Sequence, residues 1–263
     1  MTAAEKKILY TLLKTASDSL AGYNSPEFSG KRPEFSDDRA KNVVTQTDLS
    51  ALQSVPDIKI PAEKTSGGLT LTLIAQKIIS CTRCDLCKRR TNAVPGTGTD
   101  HPFVLVVGEG PGAEEDMQGL PFVGPAGKLL DKMLASISLD RHTNCYIANI
   151  VKCRPPNNRT PLPEEADECI PFLEAQIHML KPKMILAAGR TAGQNLLKTN
   201  DSLGTLRGRF YDYNGIPLLV TYHPSALLRD ESLKRPAWED LKTFRTKLSE
   251  IAPDYAANFV KRS

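Results

Sequence analysis

The sequence lacks the features of a membrane or secreted protein. No apolar run approaches 18 residues anywhere in its 263-residue length, so no transmembrane helix is predicted. The first 20 residues mix Lys6, Lys7 and Lys14 with apolar positions and do not form a secretory signal pattern. Hydrophobic residues still make up 40% of the chain, which is enough for a folded core. We therefore expect a soluble, cytoplasmic protein that does not bind membranes.

A strong charge excess is also missing. The formal net charge is +4, and residues 1–70 carry nine basic and nine acidic side chains, so the excess lies in residues 71–263. This excess is too small to indicate nucleic-acid binding by itself. Local basic groups could form a phosphate-binding face, or could be ordinary solvated surface residues. These groups are residues 88–90, Lys152 with Arg154 and Arg159, and Arg207 with Arg209.

The first quarter of the chain differs in composition from the rest. Within residues 1–21, apolar residues such as Ile8, Leu12 and Leu13 recur at helical spacing and predict a short helix. Residues 22–68 are rich in Ser, Pro, Asp, Lys and Gly and bury too little apolar surface to offset their ordering entropy, so we predict a flexible linker. A folded domain is predicted over 69–252, followed by a tail at 253–263.

Strand and helix patterns alternate within the predicted domain. Short apolar runs rich in β-branched residues are separated by segments with helical periodicity. This alternation is typical of an α/β fold, and we predict a three-layer α/β/α sandwich around a mostly parallel, four-stranded sheet. The predicted strands are 103–107, 145–151, 184–188 and a hairpin of 210–213 with 216–221 around Asn214 and Gly215; the predicted helices lead into Cys81 and span 128–136, 163–180, 191–197 and 237–252.

A glycine-rich loop follows the strand predicted at 103–107. Gly108, Gly110 and Gly112 allow tight turns, and a second rigid cluster at 119–127 follows at once. Ligands of open α/β sheets bind at the carboxyl ends of strands, where this loop lies. A dinucleotide site is disfavoured because Ala113 replaces the third glycine of the fingerprint and the loop carries four acidic residues. We expect a flat, tight pocket here instead.

Cysteines with metal-ligand spacing form a second candidate site. Cys81 and Cys84 have the Cys-x-x-Cys spacing, Cys153 begins a basic proline loop, and Cys169 follows after 15 intervening residues. Disulfide frameworks are rare in intracellular proteins, and thiolates without a neighbouring histidine fit zinc or an iron–sulfur cluster. Spacing does not choose between the two metals, and buried, unrelated thiols remain an alternative. Cys87 extends the first pair to a triplet and could replace either member.

Four motifs in order carry a family resemblance. Residues 108–116, 119–130, 149–161 and 223–229 together resemble the family 4 uracil-DNA glycosylases, the iron–sulfur branch of that superfamily. The similarity runs from about residue 74 to residue 248. A related branch that couples covalently to DNA carries a Lys-Arg-Arg-Ile-His segment after the asparagine motif, and this chain has none. The resemblance implies that 69–252 is a glycosylase-like catalytic domain.

The resemblance implies a repair activity. Such enzymes flip a deoxyuridine out of single- or double-stranded DNA and hydrolyse its N-glycosidic bond. Uracil is released and an abasic site remains, which starts base excision repair. We expect a monomer that acts on uracil-containing DNA. The alternative is a non-catalytic iron–sulfur module that binds DNA or accompanies a polymerase, and an assay for free uracil would separate the two.

Roles for the pocket residues follow from the same resemblance. Phe122 would stack on the flipped base, and Asn149 would pair with uracil O4 and N3–H, a pattern that cytosine reverses. His223 would donate to uracil O2 as negative charge builds there. Glu109 and Glu115 are the acids expected to position water or to stabilise the sugar cation.

The remaining implied roles concern the backbone, the DNA and the metal. Gly108 and Gly110 would form part of the base pocket, Ser225 would contact a phosphate, and Leu227 is the candidate apolar wedge that replaces the flipped base. Leu227 could equally belong to the core. The implied ligands of a structural 4Fe–4S cluster are Cys81, Cys84, Cys153 and Cys169.

Overall fold

The structure is a computed structural model that describes residues 70–257 and Phe259. The predicted N-terminal helix (1–21) and linker (22–68) lie outside the described residues. The folded core extends past the predicted domain end at residue 252. Tyr255 is buried, donates its hydroxyl to the Ile137 carbonyl at 2.9 Å, and its own carbonyl accepts from the Asn144 side chain. The first residues of the predicted tail therefore contribute to the core.

Six strands form a single sheet in the order β1-β3-β2-β4-β6-β5. The sheet is mostly parallel, as predicted: β3, β2, β4 and β6 are parallel, and β1 and β5 are antiparallel at its two edges. The predicted number of four strands is too low. The predicted hairpin is confirmed, since Asn214 and Gly215 both have positive φ between β5 and β6. The strands are β1 (Thr97–Gly98), β2 (Val104–Gly108), β3 (Cys145–Asn149), β4 (Met184–Ala188), β5 (Phe210–Tyr213) and β6 (Ile216–Thr221).

Eight α-helices surround the sheet in the described residues. Several begin with proline in the first turn, where its missing N–H costs no hydrogen bond. Short 3₁₀ turns occur at Asp85–Lys88, Pro156–Asn158 and Glu231–Leu233. The helices are α1 (Leu71–Ile79), α2 (Ala113–Gln118), α3 (Pro125–Ala135), α4 (Pro163–Leu180), α5 (Arg190–Leu197), α6 (Leu203–Leu206), α7 (Pro224–Arg229) and α8 (Lys234–Ile251).

The buried strands divide the core into two halves. On β2, Leu105 and Val107 pack in one cluster with residues of α4 and α5, while Val104 and Val106 pack in the other with α3 and α8. All five β2 residues are buried, because helices cover both faces of a parallel sheet. The three-layer α/β/α prediction is confirmed. Helix α1 packs on the outer side of α4.

Strand register brings the polar loops together. Gly108 at the end of β2 pairs with Asn149 at the end of β3, and Ala188 of β4 pairs with Thr221 of β6. Parallel strands place their carboxyl ends at one edge of the sheet, so the segments that follow all four central strands meet there.

Candidate active site

A cavity of about 550 Å³ lies at the carboxyl edge of the parallel strands. We call it the edge pocket. Loops after β2, β3, β4 and β6 contribute to it, so residues far apart in sequence become neighbours. Among the residues predicted from the sequence, those that line it are Glu109, Gly110, Glu115, Phe122, Asn149, His223 and Ser225.

Asn149 and Phe122, which line the edge pocket, both lie against Gly108. The Asn149 carboxamide oxygen is buried and has no hydrogen-bond partner among the described residues. A methyl carbon at Gly108 would lie 2.4 Å from that oxygen and 2.6 Å from Phe122 Cζ. Glycine is therefore required at 108, since any side chain would collide with the groups that face the pocket.

Phe122 is held in an unusual backbone conformation. Its φ of 53° lies in the left-handed region, which costs a bulky residue free energy unless its surroundings fix it. Glu115 supplies part of that restraint: its carboxylate accepts from the N–H groups of Val123, Gly124 and Gly112 at 2.9, 3.0 and 3.1 Å. One side chain thus connects the turn that begins α2 to the loop that carries Phe122.

Arg141 restrains the same loop from the other side. Its guanidinium donates to the Pro121 carbonyl at 3.0 Å and to the Phe122 carbonyl at 2.9 Å. Asp131 on α3 orients it through two further hydrogen bonds. Sequence reasoning missed Arg141, because a lone arginine between a helix and a strand carries no signal of a contact 20 residues away.

His223 faces the edge pocket as a neutral imidazole. The Ser225 backbone N–H donates to its Nδ1 at 3.1 Å, and Ser225 Oγ lies 2.8 Å from the same atom, so the ring proton lies on Nε2. Burial, helped by Arg229 and opposed by Glu115, lowers the pKa of His223 to about 4. Its ring lies 5.5 Å from that of Phe122, centroid to centroid. The pocket therefore presents an uncharged N–H donor next to an aromatic face.

Glu109 differs from Glu115 in its surroundings. Thr191, at the start of α5, donates its hydroxyl to Glu109 Oε2 at 2.5 Å, and Glu109 lies partly exposed in the edge pocket. The Glu109 carboxylate therefore keeps lone pairs for a ligand. The Glu115 carboxylate is already used by three backbone donors.

Five cysteines line a second, smaller cavity, which we call the cysteine centre. Three are on the segment after α1, one follows β3 and one is on α4. Six thiols of the chain lie in the described residues, and all six are free of disulfides. No group of three or more His, Cys, Asp or Glu side chains in residues 70–257 converges tightly enough to hold a single metal ion. The thiols of the cysteine centre are Cys81, Cys84, Cys87, Cys153 and Cys169.

Positive groups surround the cysteine centre. Arg90 donates to Cys153 Sγ at 3.0 Å, and the Lys152 backbone N–H donates to Cys169 Sγ at 3.3 Å. Burial raises the pKa of Cys169 to about 11, an effect that the nearby Lys152 opposes. Donors and cations directed at sulfur suit thiolates rather than neutral thiols.

Comparison with known proteins identifies the family. A sequence model of the uracil DNA glycosylase superfamily matches residues 95–242, more than half of the chain. A type-4 uracil-DNA glycosylase of Archaeoglobus fulgidus is 41% identical over 177 residues, which cover 64% of this chain and 88% of that protein. The chain belongs to the type-4 uracil-DNA glycosylase family. Type-4 uracil-DNA glycosylases of Thermotoga maritima and Pyrobaculum aerophilum are 43% and 41% identical, over 65% and 67% of this chain and 91% and 93% of theirs.

Three arginines line the edge pocket in this type-4 family member: Arg159, Arg190 and Arg229. Arg159 forms an ion pair with Glu165 at 2.7 Å, and Arg154 donates to Asn158. Arg190 and Arg229 are exposed and form no ion pair within residues 70–257. We call Arg159, Arg190 and Arg229 the arginine rim.

Two other predicted basic positions are not on a phosphate-binding face. Lys152 is 1% exposed and lies inside the domain. Arg207 pairs with the buried Asp240 at 2.8 Å and stacks over the Tyr222 ring. Both residues therefore serve the interior of this type-4 domain, because their charged groups are already bonded to protein groups.

The candidate wedge Leu227 is in the core. It is 2% exposed and packs in the same cluster as α3 and α8, because α7 turns this side chain inward. The described conformation thus gives Leu227 the core position that the sequence left as the alternative to a wedge. Ser225 lines the edge pocket but is hydrogen-bonded to His223, so its first contact is with the imidazole. No helix in residues 70–257 is long and apolar enough to cross a membrane.

Proposed function

We propose that this protein is a uracil-DNA glycosylase that hydrolyses the bond between uracil N1 and the deoxyribose C1′ of a flipped nucleotide. The products are free uracil and an abasic site, which starts base excision repair. The observation that carries the proposal is the buried carboxamide of Asn149 in the edge pocket with Phe122, whose oxygen has no hydrogen-bond partner among the described residues. A buried polar group without a partner costs free energy, and a ligand group that bonds to it removes that cost.

Uracil recognition follows from the chemistry of that carboxamide. Its oxygen accepts from uracil N3–H, and its amino group donates to uracil O4. Cytosine has no proton on N3 and presents an amino group at position 4, so both contacts become unfavourable. The Phe122 ring supplies a stacking surface, which favours any flat base and leaves the choice of base to Asn149.

His223 stabilises the leaving group. As the N1–C1′ bond breaks, its electron pair moves onto the uracil ring and negative charge builds on O2. The Nε2–H of a neutral His223 donates to that oxygen, since Nδ1 already accepts from Ser225. The uracil anion leaves and takes a proton from solvent.

Glu109 acts on the sugar side of the reaction. Its carboxylate lies next to the developing positive charge on the sugar and orients the water whose oxygen bonds to C1′, and the proton that this water loses passes to solvent. The Thr191 hydroxyl fixes one of its oxygens and leaves the other available. Glu115 has a positioning role through the loop that carries Phe122.

The cysteine centre fits a 4Fe–4S cluster held by Cys81, Cys84, Cys153 and Cys169. Thiols that surround a cavity without converging on one point match a multi-iron cluster better than zinc, which requires four ligands about 2.3 Å from one atom. Such a cluster supplies a structural cross-link among three chain segments. Iron and sulfide analysis with a visible spectrum distinguishes it from zinc. Cys153→Ser is expected to lose iron and Cys87→Ser to keep it; the reverse result would exchange their assignments.

An assay for free uracil tests the proposed function. Wild-type protein is expected to release uracil from a U·G duplex, a U·A duplex and a single strand. Asn149→Ala and His223→Ala should each keep the fold and lower the rate about a hundredfold or more. DNA binding by the wild type without release would favour the non-catalytic module. Wild-type rates in both variants would remove the pocket assignment.

The proposal further describes a monomer that acts in the cytoplasm. Sedimentation of the purified full-length protein with and without uracil-containing DNA checks the monomer. A mass twice that expected for one chain would contradict it.

A further inference from the structure

Lys152 is a charged side chain enclosed by the protein. It follows β3 and is 1% exposed, so the whole side chain lies inside the described domain. Its ammonium donates to the Asn149 carbonyl and to Gln176 Oε1, both at 2.8 Å. No carboxylate within residues 70–257 pairs with it. Its two acceptors are neutral.

A buried cation needs a nearby negative charge to remain ionised at low cost. The cysteine centre supplies that charge when its thiols bind iron as thiolates. The Lys152 backbone N–H donates to Cys169 Sγ at 3.3 Å, and Cys153 is the next residue in the chain. Lys152 is thus a buried cation that bonds to the cysteine centre through its backbone N–H and lines the same cavity as the five thiols.

The Lys152 side chain also contacts the backbone of a residue that lines the edge pocket. The carbonyl that Lys152 holds belongs to Asn149, whose side chain recognises the base in the proposed function. Gln176 on α4 fixes the ammonium in turn, since its amide nitrogen donates to the Pro95 carbonyl at 2.8 Å. Lys152 therefore contacts the backbone of the base-recognition residue through its side chain and a thiol of the cysteine centre through its backbone N–H.

We propose that Lys152 is a positioning residue that couples the cysteine centre to the edge pocket, acting as counter-charge to the iron-bound thiolates and fixing the main chain of Asn149. The effect on Asn149 rests on the proposed function. The effect on iron binding rests only on the buried charge of Lys152. Iron loss would then leave Lys152 without its counter-charge and loosen Asn149, although the thiols do not touch the base.

The test uses full-length, iron-loaded protein. Lys152→Met keeps the length of the side chain and removes its charge. We expect iron release to a chelator to become about tenfold faster or more, and kcat for uracil to fall by a similar factor on chains that retain their iron. Lys181→Met, at an exposed lysine after α4, is the matched control and should match the wild type in both.

A double variant shows whether Lys152 acts through Asn149. If it does, adding Lys152→Met to Asn149→Ala should lower the residual kcat less than twofold while still speeding iron release. A full additional loss of activity would overturn the coupling. Wild-type iron retention and kcat in Lys152→Met would overturn the whole inference, provided the wild type releases uracil. If the wild type itself releases none, the proposed function fails, and iron retention alone then tests the counter-charge.

Lys152→Arg decides the matter if Lys152→Met does not fold. It keeps the charge and the donors with a different shape. Iron retention and kcat near the wild-type values would support the inference, because both would then depend on the positive charge at position 152. Loss of both in a soluble, folded Lys152→Arg protein would overturn it.

Discussion

Glu109 and Glu115 lie six residues apart and both line the edge pocket, yet their contacts separate their roles. Glu109 accepts from a single hydroxyl, whereas Glu115 accepts from three backbone N–H groups. A sequence shows only two acids after a strand. The carboxylate that is still available for chemistry can be recognised only from the hydrogen bonds that the other one has already made.

Exchanging each acid for its amide should separate the two roles. Glu109→Gln keeps a partner for Thr191, so we expect unchanged thermal stability and uracil release about a hundredfold slower. Glu115→Gln directs an amino group at backbone donors and should lower the free energy of unfolding by about 2 kcal/mol. Melting curves and single-turnover rates measure both. Equal stability losses in the two variants would contradict the assignment.

The lowered pKa of His223 predicts a pH dependence with a defined sign. The folded protein takes up the His223 proton only near pH 4, while the unfolded chain takes it up near 6.5. Between these values the unfolded state binds more protons, so this residue's contribution to stability is lost as pH falls from 6.5 towards 4. Titration of His223 should leave the rate of uracil release unchanged down to pH 5 and lower it near pH 4. The reason is that a proton on Nδ1 removes the acceptor for the Ser225 N–H.

Melting temperatures of His223→Gln at pH 7 and pH 5 check this pH dependence. The variant should lose less stability between the two pH values than the wild type. His178→Gln, which changes an exposed histidine on α4, is the control. An equal loss in His223→Gln and the wild type would show that His223 titrates normally.

Among single residues, the sequence predicted Phe122, Asn149 and His223 in one pocket because each belongs to a motif at a strand end. For Leu227 the sequence left a wedge and a core position open, since motif position does not show which side of a short helix faces the core. Lys152 was grouped with surface cations for the same reason. Burial depends on contacts across the fold, and a charged residue gives no local sign that it will be enclosed.

At the scale of elements, the loop that carries Phe122 depends on α2, α3 and the segment before β3. Glu115, Asp131 and Arg141 come from those three parts of the chain. Their bonds fix a backbone conformation that Phe122 would not adopt alone. The position of the stacking ring is therefore a product of element packing rather than of the loop sequence.

Arg141→Met should disturb this loop measurably. Two carbonyls lose their donor and Asp131 loses its partner, so we expect the free energy of unfolding to fall by about 2 kcal/mol. A displaced Phe122 ring should raise KM for uracil-containing DNA about tenfold. In a Phe122→Leu background the same change should alter KM little, because the ring is already absent. A tenfold rise there as well would show that Arg141 acts by another route.

Element bounds were predictable where sequence and packing agree. Helix α4 and strand β4 have the predicted bounds, because proline begins the helix and β4 is one short apolar run. Strand β1 has two residues and α2 has mostly polar ones, so neither carries a periodic signal. Helix α2 is fixed by tertiary contact: the buried Asp116 accepts the backbone N–H groups of Thr91 and Asn92.

At the scale of the whole molecule, a net charge of +4 conceals a local concentration of positive groups. Arg190 and Arg229 line the edge pocket and are exposed, so they can reach the backbone of a DNA strand whose flipped base enters it. Their exposure and lack of ion pairs in the described residues leave both free to neutralise phosphates. Composition alone could not reveal this, since the sheet edge gathers arginines from separate segments.

Salt dependence measures that neutralisation. The double variant Arg190→Ala with Arg229→Ala should weaken DNA binding for every sequence and reduce the slope of log K against log salt by up to about 2. Arg245→Ala, an exposed arginine on α8, should leave the slope unchanged. An unchanged slope in the double variant would place the phosphate contacts elsewhere.

The glycine at the pocket end also limits how this enzyme can evolve. At Gly108 every possible replacement is larger, so mutation can only fill the space next to Asn149 and Phe122 and can never enlarge it. A lineage that acquires a bulkier substrate must therefore change the surrounding side chains while this position stays constant. Selection for new base preferences should accordingly leave Gly108 untouched and accumulate substitutions at its neighbours.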